Sequence, residues 1–410
     1  MRIVIVGAGA VGSYLAEKLA VEGQDVVVIE SDPERAAIAQ SEIDCLVING
    51  NGASAKTLKK AGLADADLLI AVSSSDAVNV LACAAGTQLG IERKVARVED
   101  PQLKAEVEAL GVDLVIDPGE AAARELFLLA SSGDIAERIE FADGALVLLG
   151  AYVDSRADFV GKTLADLRET IEGWDWLVVA VIRHGETIIA RGSTTLEPHD
   201  HVLMMARAES TDDAYTWLGL SSAPAEKVMV LGSTRLAKLT ARMLADHHIH
   251  TTLVEPDMDR CRIIAEELPG VVTVCGQPTD VKLLRSEGIE TTDTVMALTG
   301  WDSENVLAAM VAKSLGAREV IARFSNTDLV GLLAGVGIDA TVSSRLSAAN
   351  EILRFVRRGV IYSVVTFSDS DAEAIELEVG PSSPAIGKSL ADLKLPHSMI
   401  IGGVQRGAEA

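Results

Sequence analysis

Ile5-Val6-Gly7-Ala8-Gly9-Ala10-Val11-Gly12 decides the fold of this 410-residue chain. An apolar run from Arg2 to Val6 ends at Gly7-x-Gly9-x-x-Gly12, and an amphipathic stretch from Gly12 to Glu22 follows. A strand that feeds a glycine turn and opens a helix starts a dinucleotide-binding βαβ unit. The first glycine permits the tight turn, the second lets a pyrophosphate approach the backbone, and the third lets helix and strand pack closely. Glu30 lies 18 residues after Gly12, at the end of the next strand, Val26 to Glu30. A carboxylate there accepts hydrogen bonds from ribose hydroxyls and repels a 2′-phosphate, which favours NAD or an adenine nucleotide over NADP.

The pattern continues downstream. Strands are expected at Cys45 to Ile48, Leu68 to Val72, Lys94 to Val98 and Leu114 to Ile116, with helices at 33–40, 54–61, 77–89, 103–110 and 120–130 between and after them. Alternating elements of these lengths predict a doubly wound parallel sheet. After Phe141 the period changes. Short strands (145–151, 176–183, 201–206) surround one helical stretch near 162–168, which reads as a small α+β lobe. Ser221-Ser222-Ala223-Pro224 is a linker signal.

From Lys227 the sheet pattern begins again. Gly7 to Leu167 is echoed by Gly232 to Leu393 at a shift of 225 residues that becomes 226. Glu30, Asp32 and Arg35 match Glu255, Asp257 and Arg260. Asp76 and Asn79 match Asp302 and Asn305, Arg97 matches Arg323, and Gly161-Lys162 matches Gly387-Lys388. The expected organisation is two Rossmann-like domains (1–140 and 226–362), each followed by a small α+β lobe (141–222 and 363–410). The second lobe stops short of the segment matching 187–219 and is expected to be incomplete, with open strand edges.

Composition narrows the function. Apolar residues make up 49% of the chain but aromatics only 3%, so the cores are aliphatic, as parallel sheets covered on both faces require. The net charge of −24 argues against nucleic acid and against an anionic membrane surface. No stretch approaches the ~20 apolar residues of a membrane span, so direct membrane insertion is not expected. Cys45, Cys83, Cys261 and Cys275 form no Cys-x-x-Cys pair and read as buried thiols of a reducing compartment.

The candidate first site comprises Gly7, Ala8, Gly9, Ala10, Val11, Gly12, Glu30, Ser73, Ser74 and Arg97. Ser73 and Ser74 follow the fourth strand, at the sheet edge where ligands bind, and Ser75 or Asp76 is expected to cap the next helix. Arg97, inside an apolar strand, needs an anion. A phosphate is favoured, with Glu99 or Asp100 as the structural alternative. The candidate second site comprises Gly232, Ser233, Thr234, Arg235, Leu236, Glu255, Thr299 and Arg323. There Thr234 replaces the second glycine and crowds the pyrophosphate position, so a copy kept only for packing stands beside a second nucleotide site. The histidines at 247, 248 and 250, and those flanking Asp200, match no standard metal spacing. Trp174 and Trp176 read as core or subunit contacts. No catalytic triad, Walker lysine or carboxylate pair can be placed.

Asn49-Gly50-Asn51-Gly52-Ala53-Ser54, Ala66-Asp67, Ala71-Val72-Ser73-Ser74-Ser75-Asp76-x-x-Asn79 and Ala96-Arg97-Val98, with the glycine turn and Glu30, resemble the potassium-transport nucleotide-binding domain, also called RCK. Val160-Gly161-Lys162-Thr163-Leu164-x-x-Leu167 resembles its C-terminal partner domain. Two such pairs in tandem look like the regulatory subunits of Trk-type potassium uptake systems. The resemblance implies a cytosolic, non-enzymatic subunit that assembles as a homo-oligomeric dimer or tetramer ring under a membrane transporter of the TrkH or TrkG type. It implies binding of NAD(H), or of ATP or ADP, at the residues above, and adds Asn51, which stands where related domains often carry Asp. Gln277 holds that place in the second copy. The alternatives are an NAD-dependent oxidoreductase, for which the small lobe offers no clear catalytic acid or base, and a scaffold with vestigial sites.

Overall fold

This computed structural model describes residues 1–131, 137–153, 157–169, 175–183, 185–218, 225–325, 337–356, 361–367, 372–381 and 383–407. The expected linker at 221–224 and Trp174 lie outside them. The chain divides into two compact units, Met1–Ala122 with Ser344–Gly359, and Ala123–Ser343 with Val360–Ala410.

The first repeat runs β1 (Arg2–Val6), α1 (Ala10–Val21), β2 (Asp25–Glu30), α2 (Pro33–Glu42), β3 (Leu46–Asn49), α3 (Ala55–Lys60), β4 (Leu68–Ala71), α4 (Asp76–Gln88), β5 (Arg93–Arg97), α5 (Pro101–Ala109), β6 (Leu114–Ile116) and α6 (Pro118–Ser131). Its six strands lie parallel in the order β3-β2-β1-β4-β5-β6. Strand side chains alternate between faces. Ile3 and Ile5 of β1 therefore join Leu15 and Leu19 of α1 in one core, while Val4 and Val6 join Leu58 of α3 and Ala82 and Cys83 of α4 in another. Chain order reverses between β1 and β4, which opens a crevice at the carboxyl edge of those strands.

Next comes an antiparallel lobe: β7 (Glu137–Phe141), β8 (Leu146–Tyr152), α7 (Leu164–Arg168), β9 (Trp176–Arg183), β10 (Glu186–Ile189), β11 (His201–Arg207) and α8 (Thr211–Leu218). The strand order is β10-β9-β11-β8-β7. The short strands β7 and β10 and the helix α8 are additions to what the sequence suggested. One sheet face packs Val147, Leu149, Val178 and Met204 against Phe159, Leu167 and Trp217. Trp176 lies in that core, 4.8 Å from Trp217 between ring centroids. Thr163 begins α7 with a capping box, giving its hydroxyl to the Asp166 carboxylate and accepting from the Asp166 amide.

The second repeat runs β12 (Lys227–Leu231), α9 (Arg235–Asp246), β13 (His250–Glu255), α10 (Met258–Glu267), β14 (Val271–Cys275), α11 (Val281–Ser286), β15 (Thr294–Ala297), α12 (Asp302–Ser314), β16 (Glu319–Arg323), β17 (Ala340–Val342) and α13 (Ser344–Val356). Its strand order, β14-β13-β12-β15-β16-β17, reproduces the first. The hairpin β18 (Ile361–Thr366) and β19 (Glu373–Leu377) then begins the last lobe. Phe367, Ala374 and Ile400 of that lobe cover the second face of the earlier antiparallel sheet, against Leu148, Val179 and Leu203.

The duplication hides an exchange. Helix α13 follows the second sheet in sequence but belongs to the first compact unit. Its Ala348, Ile352, Leu353 and Val356 pack with Val11, Leu15 and Leu19 of α1. Arg93 of β5 donates to the Phe355 carbonyl at 2.8 Å and to the Val356 carbonyl at 3.3 Å, which satisfies the C-terminal end of α13. Burying Ile352, Leu353, Phe355 and Val356 contributes on the order of 10 kcal/mol, an upper bound, to the first sheet. In the opposite direction, α6 from Ala123 onward belongs to the second unit, where Phe127 packs 4.4 Å from His247 at the end of α9.

Candidate nucleotide site

At the mouth of the first crevice the chain leaves β1 through Gly7, whose φ of +104° suits glycine. A Cβ on Gly7 would lie 2.8 Å from the Ser73 Cα, and one on Gly12 would lie 1.9 Å from the Gly7 carbonyl oxygen. Both glycines are thus required by close backbone approach within the fold. Gly9 differs. A Cβ there would have nothing within 4 Å, and its φ is an ordinary −76°. Gly9 is also the N-cap of α1, with no side-chain cap and no acidic residue in the first turn. The helix thus keeps its positive end free of any side-chain cap or acidic neighbour in its first turn, with open space beside the Gly9 Cα, as an anion site requires.

Glu30 is 7% exposed. Its carboxylate accepts from the Ala8 amide at 2.7 Å and the Asp32 amide at 2.9 Å, and from the Ser31 hydroxyl at 3.2 Å. These donors hold the carboxylate at the rim of the turn. A carboxylate has about four acceptor positions, so capacity remains for ribose hydroxyls. Ala8 and Val11 are buried walls of the turn, and Ala10 is exposed.

The far wall is organised by a residue whose role the sequence did not disclose. Asn79 is fully buried. Its side-chain oxygen accepts from the Ser73 amide at 2.9 Å and the Ser73 hydroxyl at 2.8 Å. Its amide nitrogen donates to the Ser73 carbonyl at 3.0 Å and the Arg97 carbonyl at 2.9 Å. One side chain thereby ties the end of β4 to the end of β5. Asp76 does the same for the next turn, accepting from the Glu99 and Asp100 amides at 3.0 and 2.9 Å. Ser75, not Asp76, caps α4. Ser74 is exposed at the crevice edge. The signal for Asn79 was its recurrence as Asn305 at the repeat shift.

Arg97 takes the structural alternative among its expected partners. Its Nε donates to Glu99 at 3.0 Å, and the two form an ion pair. Asn51 is exposed in the turn after β3, and its side-chain oxygen accepts from the Ala53 amide at 2.9 Å.

The second copy keeps the frame and changes the chemistry. Gly232 has the same φ of +104°, and a Cβ there would meet the Thr299 Cα at 2.9 Å. Thr234 caps α9: its hydroxyl accepts from the Ala237 amide at 3.3 Å and donates to the Leu298 carbonyl at 2.8 Å. The capping role left open at Gly9 is thus filled at Thr234. Ser233 is half-buried, Arg235 exposed, and Leu236 buried. Glu255 is 3% exposed and accepts from the Asp257 amide at 2.9 Å. Asn305 repeats the clamp, bonded to the Thr299 amide at 2.8 Å and the Arg323 carbonyl at 2.9 Å. Arg323 donates to the Thr299 carbonyl and to Ser325, which stands where the first copy has Glu99. Among the described residues no carboxylate is ion-paired with it.

The cysteines require a correction. Cys83 is a buried thiol, pushed up to about 12 by burial, and Cys45 is free and half-buried. Cys261 and Cys275, expected as thiols, are joined in a disulfide. Their spacing of 14 residues matches no motif, and only the packing of α10 against β14 brings them together.

His201 and His247 make structural contacts. Asp200 is buried and takes two hydrogen bonds from Arg183, each 2.7 Å, while His201 stacks on Tyr152. His247 bonds the Met243 carbonyl at the end of α9. Among the described residues no group of three His, Cys, Asp or Glu side chains could hold a metal ion, and no helix is long and apolar enough to cross a membrane.

Two Rossmann-type parallel sheets with an antiparallel lobe between them define a tandem RCK chain. The TrkA-N domain profile matches residues 3–118 and 228–344, and the TrkA-C domain profile matches 148–219. The chain is 33% identical over 414 residues to the Trk system potassium uptake protein TrkA homolog of Archaeoglobus fulgidus, covering 100% of this chain and 92% of that one. It is 31% identical over 419 residues to the Trk system potassium uptake protein TrkA of Vibrio alginolyticus, covering 100% and 91%. The chain belongs to the TrkA family of Trk system potassium uptake proteins. Among solved structures it shares the fold of the GsuK channel bound to NAD, with a TM-score of 0.62 at 19% identity over 87% of this chain and 63% of that one. The human SLO3 gating ring also shares it, with a TM-score of 0.52 at 11% identity over 87% of this chain and 82% of that one.

Proposed function

We propose that this chain is the cytosolic, nucleotide-binding regulatory subunit of a Trk-type potassium uptake system. It binds NAD(H), or ATP or ADP, and acts on a membrane transporter of the TrkH or TrkG type as a homo-oligomeric ring, without chemistry on the nucleotide. The observation that carries the reading is the uncapped N-terminus of α1 at Gly9, open on one side and flanked by the Glu30 carboxylate. These residues fit a dinucleotide. The α1 amides and Gly9 would hold the pyrophosphate, and Glu30 would hold a ribose. Ser73, fixed by Asn79, and Ser74 beside it would line the opposite wall. Arg97 would serve a phosphate only by sharing its guanidinium with Glu99.

A bound nucleotide would supply no reaction here. Its part is a difference in affinity between two states of the assembly, which is what shifts a gating equilibrium. The first copy is the primary site, because Thr234 fills in the second the space and the capping role that Gly9 leaves free.

Calorimetry of the full chain with NAD+, NADH, ATP and ADP tests the reading. Binding of at least one, lost in Gly9→Asp, is expected. Absence of heat with all four refutes it. Potassium uptake in cells relying on this subunit is expected to change in Gly9→Asp, and unchanged uptake would favour a scaffold.

A further inference from the structure

The second copy carries a pair of sulfurs that the first lacks. Cys261 lies in the first turn of α10 and Cys275 is the last residue of β14. At the matching places the first copy has Ala36 and Asn49. Their Cα atoms are 6.1 Å apart, within the usual span of a disulfide, and the two are bonded. Both flank the acid of the second crevice. Cys275 pairs in register with Glu255 across the parallel strands, and the Cys261 sulfur lies 3.2 Å from the Glu255 carbonyl oxygen. The bond therefore staples together the two chain segments that hold Glu255, one following β13 and one ending β14. In the first copy that seam is held by noncovalent bonds alone, the Asn49 side-chain amide donating to the Glu30 and Ser31 carbonyls.

We infer that Cys261 and Cys275 form a reversible thiol–disulfide site that fixes the Glu255 edge of the second crevice when oxidised and releases it when reduced. The inference does not depend on whether a nucleotide occupies that crevice. The co-reactant is a low-molecular-weight disulfide, or in reverse its thiol. Cys275 is half-buried and Cys261 only 4% exposed, so exchange begins at Cys275. The Cys275 thiolate attacks the small disulfide, forms a mixed disulfide and expels one small thiolate. The Cys261 thiolate then attacks the Cys275 sulfur and expels the second. Two protein thiols and one small disulfide become one protein disulfide and two small thiols, so electrons and protons balance. Cys83, buried and pushed up to about 12, is unsuited to such exchange.

The test uses the full chain equilibrated in buffers of reduced and oxidised glutathione. Peptide mapping after rapid alkylation is expected to show a linked Cys261–Cys275 peptide that appears and disappears with the buffer ratio, while Cys83 stays unlinked. Hydrogen exchange over residues 255–280 is expected to slow by about tenfold or more on oxidation, since the bond closes a loop whose opening it restricts. Cys275→Ser should exchange like the reduced chain in every buffer. A pair that stays in one state across all ratios overturns the inference. So does exchange over 255–280 that is the same in both states, or a Cys275→Ser chain that behaves like the oxidised form.

Discussion

Replacing Asn79 by alanine isolates what holds the candidate site together. The side chain is fully buried and makes four hydrogen bonds between 2.8 and 3.0 Å. Truncation takes the side-chain partner from three backbone groups, the Ser73 amide, the Ser73 carbonyl and the Arg97 carbonyl. The Ser73 hydroxyl retains the Ser75 carbonyl at 3.3 Å. Each stranded group costs ~1–3 kcal/mol, and because all three are only partly buried the low end applies and the sum is about 3 kcal/mol. Global unfolding of a chain with several domains is not two-state, so the readout is native-state hydrogen exchange of the β4 and β5 amides. A loss of 3 kcal/mol accelerates their exchange by roughly 100-fold. Asn305→Ala should do the same to β15 and β16 and leave the first copy unchanged. Acceleration below about fivefold, or acceleration spread equally over both sheets, would refute the clamp.

Three further outcomes follow from the geometry. Gly9→Asp should change the stability of the first sheet by less than ~0.5 kcal/mol, since aspartate caps helices well, while weakening nucleotide binding by more than ~100-fold; Gly12→Ala should instead destabilise by ~1–3 kcal/mol, as equilibrium and exchange measurements on the two variants will show. Asp200→Ala leaves the Arg183 guanidinium without its bidentate partner and should destabilise the first antiparallel lobe by ~3 kcal/mol, measured by exchange in β9 and β11. The Asp257 carboxyl is held below its ordinary value by the Arg260 amide at the start of α10. A depressed value in the fold means that its contribution is present above the unfolded value and lost as pH falls through the folded one. The Asp257→Ala deficit in α10 protection should therefore be full at pH 7 and fade in acid as the pH falls through and below the ordinary carboxylate range.

Both parallel sheets were legible because their signals are local. Continuous apolar strands, glycine turns and amphipathic helices recur within thirty-odd residues, and the strand order follows from that alternation. The glycines were legible as a set but not in their division of labour. Gly7 and Gly12 serve packing and Gly9 faces open space, and only the backbone separates those uses. Strands β7 and β10 are short and half polar, so their periodicity is too weak to see. The Arg97 partner hung on two carboxylates within three residues, which spacing cannot rank. The exchange of α13 and the Cys261–Cys275 bond are tertiary facts. Amphipathicity shows that a helix has an apolar face and not which sheet receives it.

That exchange has a consequence for how the chain is made. The face of α1 that carries Val11, Leu15 and Leu19 waits for Ile352, Leu353 and Val356. A ribosome that has just completed β6 has still to add roughly 240 residues, about 12 to 48 s of synthesis at ~5–20 residues/s. Through that interval the first sheet has every strand it needs and lacks one helix of its cover. The N-terminal half thus emerges as a folding debtor to the C-terminal half, and chaperones have their longest opportunity at α1.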